Sequence, residues 1–129
     1  PELARILQAC ALGRLAEAPP LTPIELCSAC VVSAADGYPD APRKGDPIEI
    51  SLNVDQSEYQ QLQLFHAGTR HTFDGVLETA GGRVLAMVAQ ATDFDQAFTK
   101  AYEGLTQVRY EGMQFRKDIG HQVRAPKLS

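Results

Sequence analysis

Turn-forming residues cut the middle of this chain into short pieces, and that punctuation limits its fold more than any other feature. Gly37-Tyr38-Pro39, Pro42, Gly45, Pro47, Gly68, Asp74-Gly75 and Gly81-Gly82 interrupt residues 26–91, a pattern that favours short strands joined by turns. Leu26 to Ala34 is small, apolar and β-branched, so Cys27 to Val32 is expected to form a short buried strand that stops at Asp36-Gly37-Tyr38-Pro39. Leu62, Leu64 and His66 alternate with Gln61, Gln63 and Phe65, which suits a second strand. Gly68 to His71 is expected to turn that strand back towards Thr72 to Thr79, with a tight Asp74-Gly75 turn inside the pair. Gly81-Gly82 then leads into a further strand, Arg83 to Ala91. Short strands of this kind predict a small antiparallel sheet or partial barrel, and the flanking helices make the fold class α+β.

The helices are read from spacing. Leu3, Ile6, Leu7, Cys10, Ala11 and Leu15 recur at helical intervals, so the first 15 or so residues form an amphipathic helix that ends near Gly13 and Pro19-Pro20. Its apolar face needs a neighbour. The stiff Pro19-Pro20-Leu21-Thr22-Pro23 segment marks the boundary between a helix-and-linker region, residues 1–22, and a compact domain, residues 23–129. A second helix starts at about Asp93, with Phe94, Ala97, Phe98, Ala101, Tyr102, Leu105 and Val108 on one face. Thr92 or Asp93 can cap it, and Asp95 adds favourable charge in its first turn. The polar end from Arg124 to Ser129 is expected to fray.

At 129 residues the chain is one domain by length, and its apolar content of 44% suits a packed core. No apolar run approaches the roughly 20 residues of a membrane span. The formal charge of −4 includes no basic block, so neither membrane nor nucleic acid is an expected partner. The start at Pro1-Glu2-Leu3 has no initiator Met and no basic leader, and is expected to be an internal cut in something longer. Three cysteines, an odd number, suit a reducing compartment, and the cytoplasm is the expected location. Cys27 and Cys30 have the spacing of a zinc or redox pair, but strand residues three apart point to opposite faces, and two buried core thiols are expected instead. Cys10 is expected to pack on its helix face. His66, His71 and His121 are scattered; His66 is expected as a half-buried sheet residue.

Two places carry candidate chemistry. In Gly81-Gly82-Arg83 a guanidinium follows two residues without side chains, so it can take a phosphate or carboxylate in two-pronged fashion while the glycines leave room for the ligand. The alternative is a hairpin turn with a solvated Arg. Arg116-Lys117-Asp118 offers a second anion site, or else a plain charge cluster near the chain's end. Neither a Walker-type loop nor Gly-x-Gly-x-x-Gly is present, so the chain alone is expected neither to hydrolyse ATP nor to bind Mg-ATP tightly.

A run of short motifs gives these pieces a context: Ala9-Cys10 with Gly13-Arg14-Leu15, Cys30-Val31-Val32, Gly37-Tyr38-Pro39, Lys44-Gly45-Asp46, Phe65 to Thr69, Gly81 to Leu85, Ala101-Tyr102-Glu103 and Glu111 to Gly120. In this order they resemble the C-terminal domain of phosphoribosylamine-glycine ligase (glycinamide ribonucleotide synthetase), an ATP-grasp family of purine synthesis, over nearly the whole chain. The resemblance implies antiparallel strands flanked by helices, of the rudimentary hybrid-motif type. It implies an ATP-dependent ligation in which glycine's carboxylate is phosphorylated and the amine of 5-phosphoribosylamine attacks it, giving glycinamide ribonucleotide, ADP and phosphate. ATP and Mg or Mn would be bound by preceding ATP-grasp and N-terminal lobes, with no cofactor and no catalytic residue in this chain, which would be inactive alone. The chain would serve as lid and wall of the substrate pocket. Gly81, Gly82, Arg83, Arg116 and Lys117 would bind substrate, since in some relatives a Gly-Arg at the matching strand faces the substrate phosphate. Ala86 and Ala89, where members often have Gly and Thr, and Ala34-Ala35-Asp36 before Gly-Tyr-Pro depart from the pattern and bear on strand packing. The rival reading is a stand-alone ligand- or protein-binding module on the same scaffold.

Overall fold

The computed structural model describes residues 2–51 and 62–123; Gln61 of the second expected strand and the polar end at 124–129 lie outside them. Three strands form the central sheet: β1 (Cys27–Ala34), β3 (Leu62–His66) and β6 (Arg83–Ala91), antiparallel in the order β1-β6-β3. Two small antiparallel pairs flank it, β2 (Glu49–Ile50) with β7 (Val108–Arg109) and β4 (Thr69–His71) with β5 (Leu77–Thr79). Among the described residues the sheets stay open and do not close into a barrel.

Alternation decides which side of the central sheet is core. Ala29, Val31 and Ser33 of β1 pair with Ala89, Met87 and Leu85 of β6, and all six are buried. Helix α2 (Phe94–Leu105) lies on this side and buries Ala97, Phe98, Ala101 and Leu105. Asp93 caps it as expected, its carboxylate accepting from the Gln96 N–H at 2.8 Å. The helix ends earlier than its apolar spacing suggests. Val108, expected on the helix face, belongs to β7 and pairs opposite Ile50. It is buried all the same, and a residue that joins the core just past a helix end keeps the spacing of one inside it.

Other expectations are corrected. The stretch from Gly68 to His71 is mostly strand rather than turn, because Thr69–His71 pairs with Leu77–Thr79 and Arg70 meets Glu78 across the pair at 2.6 Å. Cys30 and Cys10 are exposed and Cys27 is half-buried, so the expected buried thiols are not found. Cys27 and Cys30 do point to different sides, as strand geometry requires. His66 is exposed at the end of an edge strand, with Nδ1 3.2 Å from the Thr69 hydroxyl. Helix α1 (Glu2–Ala11) buries none of its residues; Leu3 and Leu7 are 60% and 59% exposed. Among the described residues no helix is long and apolar enough to cross a membrane.

Candidate functional site

Among the described residues no helix covers the face of the central sheet away from α2, and Arg83 reaches that face through an irregularity. With strict alternation Arg83 would share the phase of Leu85, Met87 and Ala89 and point into the core. The register shifts between Ser33 and Ala34: Ser33 pairs with Leu85, but Ala34 pairs with Arg83. Val84 is therefore extra on β6, and both Val84 and Leu85 are fully buried while Arg83 is exposed. A bulge of this kind re-aims the residues beyond it.

Arg83 stands where two concavities meet. One, of about 800 Å³, runs over Pro39, Pro42, Ala67 and Ala86; the other, of about 380 Å³, runs over Cys30, Gln114, Phe115 and Arg116. Val32, Tyr38 and Arg83 line both. The walls are largely apolar, and Arg83 has no ion-pair partner among the described residues. Gly82 lines the larger groove, but the room that it leaves is filled from within. A Cβ there would come within 2.6 Å of the Tyr38 ring, so the missing side chain seats Tyr38 rather than a ligand. Gly81 lies behind it against Gly68, whose own Cβ would fall 2.7 Å from the Gly81 Cα.

Arg116 arrives from the far end of the chain. The Ala34 N–H donates to the Gln114 carbonyl at 2.7 Å and the Gln114 N–H donates back at 2.9 Å, so the segment after Gln114 is laid beside the end of β1. Arg116 makes a two-pronged pair with Asp118, at 2.9 and 2.7 Å. The pair raises the guanidinium's pKa and lowers that of the carboxyl, both groups being exposed. Such a pair is worth little and yields readily to a stronger anion. Lys117 is exposed and lines neither groove.

Of the five residues singled out from sequence, then, Gly82, Arg83 and Arg116 meet on one concave surface, whereas Gly81 supports it from behind and Lys117 stands apart. Tyr38, Val32 and Phe115 were missed as walls. The Gly37-Tyr38-Pro39 turn signalled that the backbone bends there, but not that its ring would cover Gly82. Among the described residues no three His, Cys, Asp or Glu side chains gather as a metal site. With two guanidiniums on largely apolar walls, the surface is suited to hold an anion.

Comparison with known proteins gives the surface its setting. Residues 28–122 match the family described as phosphoribosylglycinamide synthetase, C domain. The chain belongs to that family. It is 40% identical over 121 residues to the phosphoribosylamine–glycine ligase of Synechocystis, covering 94% of this chain and 28% of that protein. It is likewise 40% identical over 119 residues to the enzyme of that name from Caulobacter vibrioides, covering 92% of this chain and 27% of the relative. The crystal structure of the Thermotoga maritima phosphoribosylamine–glycine ligase superposes with a TM-score of 0.74 at 32% identity, over 91% of this chain and 27% of that one. This synthetase C domain thus spans little more than a quarter of the relatives that it matches.

Proposed function

We propose that this chain is the C-terminal domain of a phosphoribosylamine–glycine ligase and that the open face of its sheet holds the phosphate-bearing substrate. The observation that carries this reading is the meeting of Arg83 and Arg116 on one apolar-walled surface, in a chain matched almost end to end by ligases of that name. In the proposed reaction, glycine's carboxylate oxygen takes the terminal phosphoryl group of ATP. The amine of 5-phosphoribosylamine then attacks the acyl carbon, the C–O bond breaks towards phosphate, and the nitrogen loses its proton, giving glycinamide ribonucleotide, ADP and phosphate.

This chain's part in that reaction is binding and orientation. Arg83, with no ion-pair partner among the described residues, and Arg116, released from Asp118, would grip the phosphate monoester, with Tyr38 and Val32 against the sugar. Gly81 and Gly82 would act by seating Tyr38 and Arg83, and Lys117 would add charge at the rim. ATP and its Mg or Mn would be held by preceding lobes, since this chain has no phosphate-binding loop. Residues 1–22 would be the connection to those lobes, with the exposed Leu3 and Leu7 of α1 covered by them. The enzyme would work in the cytoplasm.

The test is an assay of the whole polypeptide that carries this domain. ADP release should require glycine and 5-phosphoribosylamine together. A folded protein that binds Mg-ATP but releases no ADP in the presence of both substrates would end the ligase reading.

A further inference from the structure

The segment that carries Arg116 is fastened at both ends and in the middle, and the middle fastening is one hydroxyl. At its start Gln114 exchanges two backbone hydrogen bonds with Ala34. At its end Gly120, with φ +81°, lies so close on Phe98 that a Cβ would fall 2.1 Å from the ring. Between the two, Tyr102 of α2 donates its hydroxyl proton to the Arg116 carbonyl at 2.8 Å and accepts the Ile119 N–H at 3.1 Å. Its ring also meets Phe115, with centroids 6.2 Å apart. One phenol oxygen thus satisfies an acceptor on Arg116 and a donor on Ile119, three residues apart, with Lys117 and Asp118 between them.

We propose that Tyr102 is a positioning residue for substrate: by tying Arg116 and Ile119 to the rigid helix α2, its hydroxyl sets where the Arg116 guanidinium stands at the groove beside Arg83. This rests on the ligase reading above. Removing the hydroxyl leaves both end fastenings and the ring contact in place, so it frees the position of Arg116 without dismantling the fold. A guanidinium free to wander must be ordered again when the phosphate binds, and that cost falls on substrate affinity.

The experiment uses the whole ligase that carries this domain, as wild type, Tyr102→Phe, Arg116→Ala and the double variant. For Tyr102→Phe the KM for 5-phosphoribosylamine should rise roughly three- to tenfold, the size of one lost net hydrogen bond, with kcat and the KM for ATP within twofold. In the Arg116→Ala background the same change should add nothing, because Tyr102 acts through Arg116. An unchanged KM, an effect that persists in full when Arg116 is absent, or a fall in kcat together with the melting temperature would each overturn the positioning role. A wild-type enzyme that folds and binds Mg-ATP without ligating would instead strike the ligase reading, and the inference with it.

Discussion

On the side of the central sheet covered by α2, Val31, Leu85, Met87 and Ala89 are sealed from solvent, whereas on the opposite side Val32, Tyr38 and Phe65 remain 39%, 42% and 52% exposed. Both sides draw on the same strands. The covered side converts its apolar surface into stability, at about 25 cal/mol for each Å² removed from water. The other side keeps Val32, Tyr38 and Phe65 partly in solvent and sets two arginines beside them. That combination suits the binding surface proposed above. On the proposed reading one sheet serves packing on one side and binding on the other, and substitutions on its two sides should have effects of different kinds.

The sharpest break in that comparison would come from the covered side. Phe98→Ala or Leu105→Ala should destabilise the domain by about 2–5 kcal/mol, since each leaves a cavity between α2 and the sheet. Thermal or denaturant unfolding reads this directly, and melting points equal to wild type would mean that α2 does not dock as described. Arg83→Ala on the open side should do the reverse. Stability should stay within about 0.5 kcal/mol, while, on the ligase reading proposed above, the KM of the whole enzyme for 5-phosphoribosylamine should rise about ten- to a hundredfold, as expected for one charged hydrogen-bonding group. Unaltered KM and kcat would remove Arg83 from the site.

Tyr110 permits a finer test on the covered side. Burial pushes its phenol above the ordinary value, so the folded protein favours the neutral form. A raised folded pKa contributes fully below the unfolded value of about 10 and is lost as pH climbs past it. Stability should accordingly fall above about pH 10, and Tyr110→Phe should flatten that fall. The variant should also lose about 0.5–1.5 kcal/mol at neutral pH, with the 3.2 Å bond from its hydroxyl to the Ala34 carbonyl. An alkaline profile parallel to wild type would show that some other group sets the loss. The smallest effect belongs to Gln107→Ala, an exposed position beyond α2, which should stay within about 0.5 kcal/mol by the same unfolding measurement.

Much of the fold was legible because its signals are local. Helix α2 announces itself by apolar spacing and the Asp93 cap, and β1 and β6 by runs of small and β-branched residues between turns. The misreadings share a cause. Cys10, Cys30 and His66 have side chains that are often buried, and nothing in their neighbourhoods says whether another element will cover them. Val108 kept the helical spacing after the helix had ended. The site was legible as two separate cations with possible anion-binding chemistry, but not as one surface, because their meeting depends on Ala34 pairing with Gln114 far along the chain.

The amino-acid sequence by itself determined the family, the α+β class, the stronger helix and the two arginines worth attention, since motif order, periodicity and side-chain chemistry are all written in neighbouring residues. Only the tertiary structure decided which face those arginines share. Alternation alone would turn Arg83 into the core; the extra residue Val84, opposite the Ser33–Ala34 shift, turns it out. The reason is physical: a strand offers two equivalent faces, and which becomes core depends on where α2 lands and where the register slips, both set by contacts between distant segments.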